Sequence, residues 1–97
     1  MDLYLISQTE NNGYDTYDSA VVAAKSESDA RRINPSSLVT HVSGGKWMGT
    51  YKTTKGVEYA YGGYDWVEYH DINKIKVELL GKTDRPKGVI LASFNAG

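Results

Sequence analysis

The sequence predicts an α+β domain with a mainly antiparallel β-sheet, one principal short helix packed on it and an aromatic-rich β-meander. Three observations predict this fold class. Apolar runs at 3–8, 19–24 and 88–94 are typical of strands buried on both faces. A single capped helix signal follows the second run, and hairpin signals flank closely spaced aromatic residues in the middle of the chain. The length of 97 residues is that of one domain, 1–97.

The apolar runs indicate where the sheet lies. Because the runs at 3–8 and 88–94 show no polar alternation, we expect both strands in the interior of the sheet. A third strand is predicted at 38–43, closed by Gly44-Gly45. A further strand begins near Ile75, where apolar and charged residues alternate as in a half-exposed strand.

The helix is predicted over 27–33. Ser26 is a typical N-cap residue, with Asp29 three positions later as in a capping box. Arg31 and Arg32 suit the negative end of the helix dipole, and Asn34-Pro35 ends the helix.

The meander is predicted over 47–69. Gly62-Gly63 is a two-residue hairpin signal that sets Tyr61 opposite Tyr64, and a three-residue loop at 54–56 sets Tyr51 beside Tyr59 and Lys52 opposite Glu58. In this register one face carries Tyr51, Tyr59, Tyr61, Tyr64 and Trp66. The other face is expected to be solvated and carries Thr50, Lys52, Glu58, Asp65 and Val67.

The aromatic face has two interpretations. The rings are core residues if the meander folds over or extends the main sheet. Some rings instead form an interface if they stay exposed, because Tyr and Trp interleaved with Gly and Asp are typical of binding surfaces. Tyr64 and Trp66 are the candidates for the exposed part. The candidate partner-binding residues are Tyr51, Tyr59, Tyr61, Tyr64, Asp65 and Trp66.

Catalytic chemistry is not indicated. Two histidines, His41 and His70, without any cysteine do not make a usual structural zinc site. The segment 43–50, SGGKWMGT, lacks the Ser/Thr and the helix that follow a phosphate-binding loop, and no nucleophile elbow or dinucleotide fingerprint is present. We therefore expect no catalytic residue, no metal site and no cofactor. Arg31, Arg32 and Lys46 are candidates for contact with a phosphate or an acidic partner.

Composition restricts the partners and the compartment. A net charge of −1 argues against generic nucleic-acid binding. The apolar stretch LYLI at 3–6 is too short to span a membrane, and the absence of cysteine is compatible with a reducing cytosol. A cytoplasmic protein is expected.

Two segments carry a resemblance. Residues 3–35 and 75–97, above all YDSAVVAA and the terminal ASFNAG, resemble a family of small uncharacterised proteins of tailed bacteriophages and prophages. The resemblance implies an accessory phage protein that works in the cytoplasm of an infected bacterium. It implies no activity and no catalytic residue, and it does not extend to the aromatic middle of the chain.

Three hypotheses follow for function. The first is a non-enzymatic inhibitor that binds a host protein or complex, such as a component of CRISPR or of another anti-phage defence. The second is a protein that sequesters a nucleotide signal, with rings stacking on a base and basic residues meeting phosphates. The third is a homo-oligomeric structural or regulatory protein that buries an apolar sheet face against a second copy.

Overall fold

The computed structural model describes residues 1–50, 57–61 and 65–95. In these ranges the chain forms seven strands, one α-helix and one 3₁₀ helix. The elements are β1 (Asp2–Ser7), β2 (Thr16–Ala24), α1 (Glu27–Arg31), β3 (His41–Ser43), β4 (Lys46–Thr50), β5 (Glu58–Ala60), the 3₁₀ helix (Tyr69–Lys74), β6 (Lys76–Lys82) and β7 (Gly88–Asn95). All strand pairs are antiparallel and the helices are short, which confirms the predicted α+β class with a mainly antiparallel sheet.

The larger sheet has four strands in the order β6-β1-β2-β7. The run at 3–8 corresponds to β1, which lies between β6 and β2, so its predicted interior position is confirmed. The run at 88–94 corresponds to β7, which lies at the edge beside β2, so the predicted interior position of this strand is wrong. Its apolar character does not reflect two covered faces, because Leu91 is 67% exposed.

One face of the larger sheet is covered. Directly opposed residues of an antiparallel pair point to the same side of a sheet. Tyr4 is opposite Val22 and Ile6 is opposite Ala20, so these four residues share one face, and all four are buried. Helix α1 packs against β1, β2 and β6 and buries Ala30.

Helix α1 begins as predicted. The Ser26 hydroxyl accepts a hydrogen bond from the backbone N–H of Asp29 at 3.1 Å. The helix ends at Arg31, earlier than the predicted end at residue 33, and the backbone N–H groups of Arg32 and Ile33 close the last turn on the carbonyls of Asp29 and Ala30.

The smaller sheet has three strands in the order β3-β4-β5. Gly44 and Gly45 connect β3 to β4 with φ angles of 60° and 71°, a backbone conformation that glycine adopts without steric cost. This turn closes the third predicted strand at the expected place, although β3 is limited to His41–Ser43.

The register between β4 and β5 differs from the prediction by two residues. Tyr59 is opposite Gly49 rather than Tyr51, and Glu58 is opposite Thr50 rather than Lys52. A Cβ atom on Gly49 would lie 2.5 Å from Cζ of Tyr59, so the glycine leaves room for the ring. Residues 51–56 and 62–64, which include both predicted loops and Lys52, lie outside the described residues.

The third strand of the predicted meander is wrong where the structure describes it. Residues 65–68 are not a strand, and the 3₁₀ helix follows at once. The backbone N–H of Tyr17 donates to the carbonyl of Asp65 at 2.8 Å, and the side-chain amide of Asn11 donates to the carbonyl of Trp66 at 3.2 Å. These bonds hold residues 65 and 66 against the larger sheet, and Val67, expected on a solvated face, is buried.

A single buried cluster contains side chains from both sheets. Trp47 of β4, Trp66, Val67 and Ile75 belong to the same cluster as the covered face of the larger sheet. The indole N–H of Trp47 donates to the carbonyl of Val67 at 2.8 Å. The aromatic segment therefore contributes to the junction between the sheets.

Candidate functional site

The described rings of the predicted aromatic surface contribute to packing. Trp66 was a candidate for the exposed part, but it is 1% exposed and belongs to the core, so its ring is not accessible to a partner. Tyr59 lies over Gly49, and Tyr61 packs against the core cluster. Tyr51 and Tyr64 lie outside the described residues.

Tyr61 and Asp65 form a local pair. The Tyr61 hydroxyl donates to Oδ2 of Asp65 at 3.0 Å. Burial raises the pKa of Tyr61, the Asp65 carboxylate raises it further, and a hydrogen bond with Ser36 partly opposes the rise. Burial also raises the pKa of Tyr4, with the carboxylate of Asp2 as the next cause. Both phenols are stabilised in their neutral form, because burial disfavours the charged phenolate.

The structure does not bring the three basic candidates together. Arg31 donates from Nη1 to the carbonyl of Ile75 and pairs through Nη2 with Glu27 at 3.4 Å, so it ties α1 to the start of β6. Lys46 is exposed at the start of β4. Arg32 donates from Nε to the Tyr69 hydroxyl at 3.3 Å and from Nη1 to the Ser28 hydroxyl at 2.9 Å, and it lines a groove described below.

An exposed apolar edge lies on β7. Val89, Leu91 and Phe94 are 41%, 67% and 45% exposed, and we call these three residues the apolar edge. Leu91 is opposite Val21, which is opposite Leu5, so apolar side chains form a row across the sheet on the face away from α1. A shallow depression of about 250 Å³ between β2 and β7 is lined by Ser19, Val21, Leu91 and Ser93, among others.

The two edges of the larger sheet differ in charge. Strand β6 carries Lys76, Glu78 and Lys82. Charges on an edge strand discourage pairing with another chain. Register irregularities occur at both edges, between β6 and β1 and between β7 and β2. Strand β7 carries no charged residue over Gly88–Asn95. This surface was not predicted, because an uncharged apolar run is typical of a strand buried on both faces. The length and charge of the run do not distinguish such an interior strand from an exposed edge strand.

A groove of about 670 Å³ lies between the segment that follows α1, the smaller sheet and the start of β7. Its lining includes apolar side chains of Ile33, Val39, Val42, Trp47 and Val89. The polar and charged lining residues are Arg32, Asn34, Ser36, Ser37, Thr40, His41 and Lys87. Among the described residues that line the groove, none is acidic.

A surface cluster surrounds His70. Ligand-type atoms of Glu68, His70 and Asp71 lie within 4.8 Å of one another. The imidazole of His70 approaches Glu68 and Asp71 at 3.4 and 3.3 Å, and Lys74 lies 3.6 Å from Asp71. Exposed acidic groups flanked by basic ones are typical of solvated ion pairs.

Comparison with known proteins returns no match among family models, curated proteins or solved structures. Within the described residues, no helix has the length and apolar character needed to cross a membrane.

Proposed function

We propose that this chain is a non-enzymatic phage accessory protein that acts in the cytoplasm of the infected bacterium by binding and inhibiting a host protein, such as a component of CRISPR or another defence system. The resemblance of residues 3–35 and 75–97 to small phage proteins supports the origin. The observation that carries the binding function is the apolar edge, Val89, Leu91 and Phe94, on an uncharged edge strand.

The apolar edge suits a protein partner. An edge strand presents unpaired backbone N–H and C=O groups, which a strand of another protein satisfies by joining the sheet. Exposed apolar side chains beside these groups add buried area when the partner binds. A polyanion would gain little here, because β7 offers no cation to pair with phosphates.

The proposed partner is a host protein. Pairing of β7 with a second copy would join two four-stranded sheets into one of eight strands and would occupy the same edge. Self-association is therefore an alternative outcome of the test, and it is measured by the molar mass at increasing protein concentration.

A lysine substitution on each edge provides the test. Leu91 on β7 and Leu79 on β6 are similarly exposed, at 67% and 62%, so Leu91→Lys and Leu79→Lys make the same chemical change at opposite edges. Each variant is expressed in a bacterium whose defence system restricts a phage, and plaques are counted. We expect the wild type to restore plaques and Leu79→Lys to give a similar plaque count. Leu91→Lys should give a plaque count lower by about tenfold or more.

Thermal unfolding controls for folding. Both substitutions are at exposed positions, so we expect similar melting temperatures. Full restoration of plaques by Leu91→Lys would contradict a role for the apolar edge, and a concentration-dependent dimer that Leu91→Lys abolishes would favour the self-association alternative.

A further inference from the structure

We propose that the groove lined by Arg32, Lys87 and Val42 binds a small organic anion that carries a planar ring and a phosphate group, of the size of a nucleoside monophosphate. This site shares Val89 with the apolar edge, but its two cations and its other apolar walls lie outside that edge, and it does not rest on the proposed function of the edge. The proposal rests on the groove's volume, its apolar walls and the sign of its charge.

The size of the groove is that of a small-molecule site. Its volume of about 670 Å³ lies within the range of about 300–1,000 Å³ that is usual for ligand pockets. Ile33, Val39, Val42 and Val89 contribute apolar lining, against which a planar ring would be shielded from water.

The charge of the groove selects an anion. Arg32 and Lys87 are the lining residues with permanent charge, although the whole chain has a net charge of −1. The described partners of Arg32 are the neutral hydroxyls of Tyr69 and Ser28, and no ion pair with a described residue involves Arg32 or Lys87. His41, also in the lining, has its Nε2 2.9 Å from a carboxylate oxygen of Glu58, and no described ion pair joins Glu58 to Arg32 or Lys87.

The polar wall of the groove is fixed before a ligand arrives. Asn34 and Ser36 are buried, the Asn34 side-chain oxygen accepts from the backbone N–H of Ser36 at 2.8 Å, and the Ser36 hydroxyl accepts from the backbone N–H of Leu38 at 3.2 Å. Two hydrogen bonds likewise orient the Arg32 guanidinium. Because these groups are held in place, a ligand would lose little free energy in ordering them.

A phosphate with an attached ring uses both properties of the groove. Arginine and lysine bind phosphate oxygens through charge-assisted hydrogen bonds. Burial of the ring against the apolar walls adds binding free energy. Inorganic phosphate has no ring and does not gain this contribution. We therefore expect a nucleoside monophosphate to bind more tightly than either of its two parts.

Calorimetric titration of the full chain tests the proposal with four probes: AMP, GMP, adenosine and inorganic phosphate. We expect saturable binding of AMP or GMP, with adenosine and phosphate weaker by about tenfold or more. Lys87→Ala should weaken nucleotide binding by about tenfold, because it removes one charge-assisted contact from an exposed position. Arg32→Ala should act in the same direction.

Arg85→Ala is the matched control. Arg85 is an exposed cation between β6 and β7, close in sequence to Lys87 but not part of the groove lining. We expect it to leave the affinity unchanged. Equal weakening by Arg85→Ala and Lys87→Ala, or the absence of saturable binding of both nucleotides up to millimolar concentration, would overturn the proposal. Because Lys87 is exposed, its variant is expected to fold, which keeps the test decisive even if Arg32→Ala unfolds.

Discussion

Two buried tryptophans differ in whether the indole N–H group is hydrogen-bonded. Trp47 and Trp66 are 2% and 1% exposed. The indole N–H of Trp47 donates to the carbonyl of Val67, whereas the indole N–H of Trp66 has no hydrogen-bond partner among the described residues. A buried donor without a partner costs the free energy of its lost hydration. The two side chains thus contribute similar apolar burial but opposite polar terms.

The same substitution at both positions isolates this polar difference. Trp47→Phe removes a hydrogen bond and part of a buried ring, while Trp66→Phe removes a similar part of a ring together with the unpaired donor. We expect Trp47→Phe to reduce the free energy of unfolding by about 1–3 kcal/mol more than Trp66→Phe. Denaturant unfolding followed by circular dichroism measures both values, and an equal loss at the two positions would contradict the assignment.

At the scale of elements, a glycine sets the packing of β4 on β5. Gly49 lies opposite Tyr59, and a Cβ atom at this position would also lie 2.6 Å from the backbone carbonyl oxygen of Leu38. A side-chain ring can rotate away from a new methyl group, but a backbone oxygen moves only with its segment. The glycine therefore determines how closely residue 38, β4 and β5 approach one another.

Alanine substitution of two glycines tests this packing. Gly49→Ala should reduce the free energy of unfolding by about 1–3 kcal/mol or more, because the new methyl group overpacks the site. Gly13→Ala is the control, since a Cβ atom at Gly13 would meet nothing within 4 Å. We expect Gly13→Ala to change stability by less than about 1 kcal/mol. Similar losses for both variants in denaturant unfolding would show that the close approach at Gly49 is not limiting.

The elements also show which patterns in a sequence carry structural information. The N-cap at Ser26 and the Gly44-Gly45 turn act locally, and both were predicted correctly. The position of β7 depends on which strand lies beside it, and an apolar run does not contain that information. The register at Tyr59 was predicted from a three-residue loop at 54–56 and the resulting Lys52–Glu58 pair, whereas in the structure the Tyr59 ring lies over Gly49.

The candidate sites also combine features that local sequence predicts with features that depend on contacts between distant segments. The sequence made Arg32 a candidate for contact with a phosphate or an acidic partner, and in the structure Arg32 lines the groove. The other groove residue with a permanent charge, Lys87, is 55 positions away in sequence and reaches the same groove only because β7 pairs with β2. Neither composition nor local spacing predicts such a meeting of distant segments.

At the scale of the whole molecule, both sheets depend on one core. Tyr4 lies on β1 of the larger sheet and Tyr61 follows β5 of the smaller one, and both rings contact the shared buried cluster. Burial raises the pKa of each phenol above the ordinary value of 10.0. Ionisation of either group therefore opposes the packing that joins the two sheets.

Alkaline pH should destabilise the molecule as one unit. Above about pH 10 the unfolded chain releases the protons of Tyr4 and Tyr61, while the folded chain retains them because its pKa values are higher. The unfolded state then binds fewer protons, so the free energy of unfolding falls as the pH rises. The contribution is fully present below pH 10 and is lost as the pH passes through the raised values. Since the sheets share a core, we expect one transition by fluorescence and circular dichroism.

Phenylalanine variants identify the groups responsible. Tyr4→Phe and Tyr61→Phe remove the ionisable hydroxyl, so each should make stability fall less steeply between about pH 9 and pH 11 than in the wild type. Tyr61→Phe also loses the hydrogen bond to Asp65, so the slope with pH is compared rather than the stability at neutral pH. Tyr14→Phe is the control, because Tyr14 is 80% exposed and should leave the slope unchanged. If Tyr14→Phe alters the slope as much as Tyr4→Phe and Tyr61→Phe do, alkaline unfolding depends on net charge rather than on the two phenols that contact the shared core.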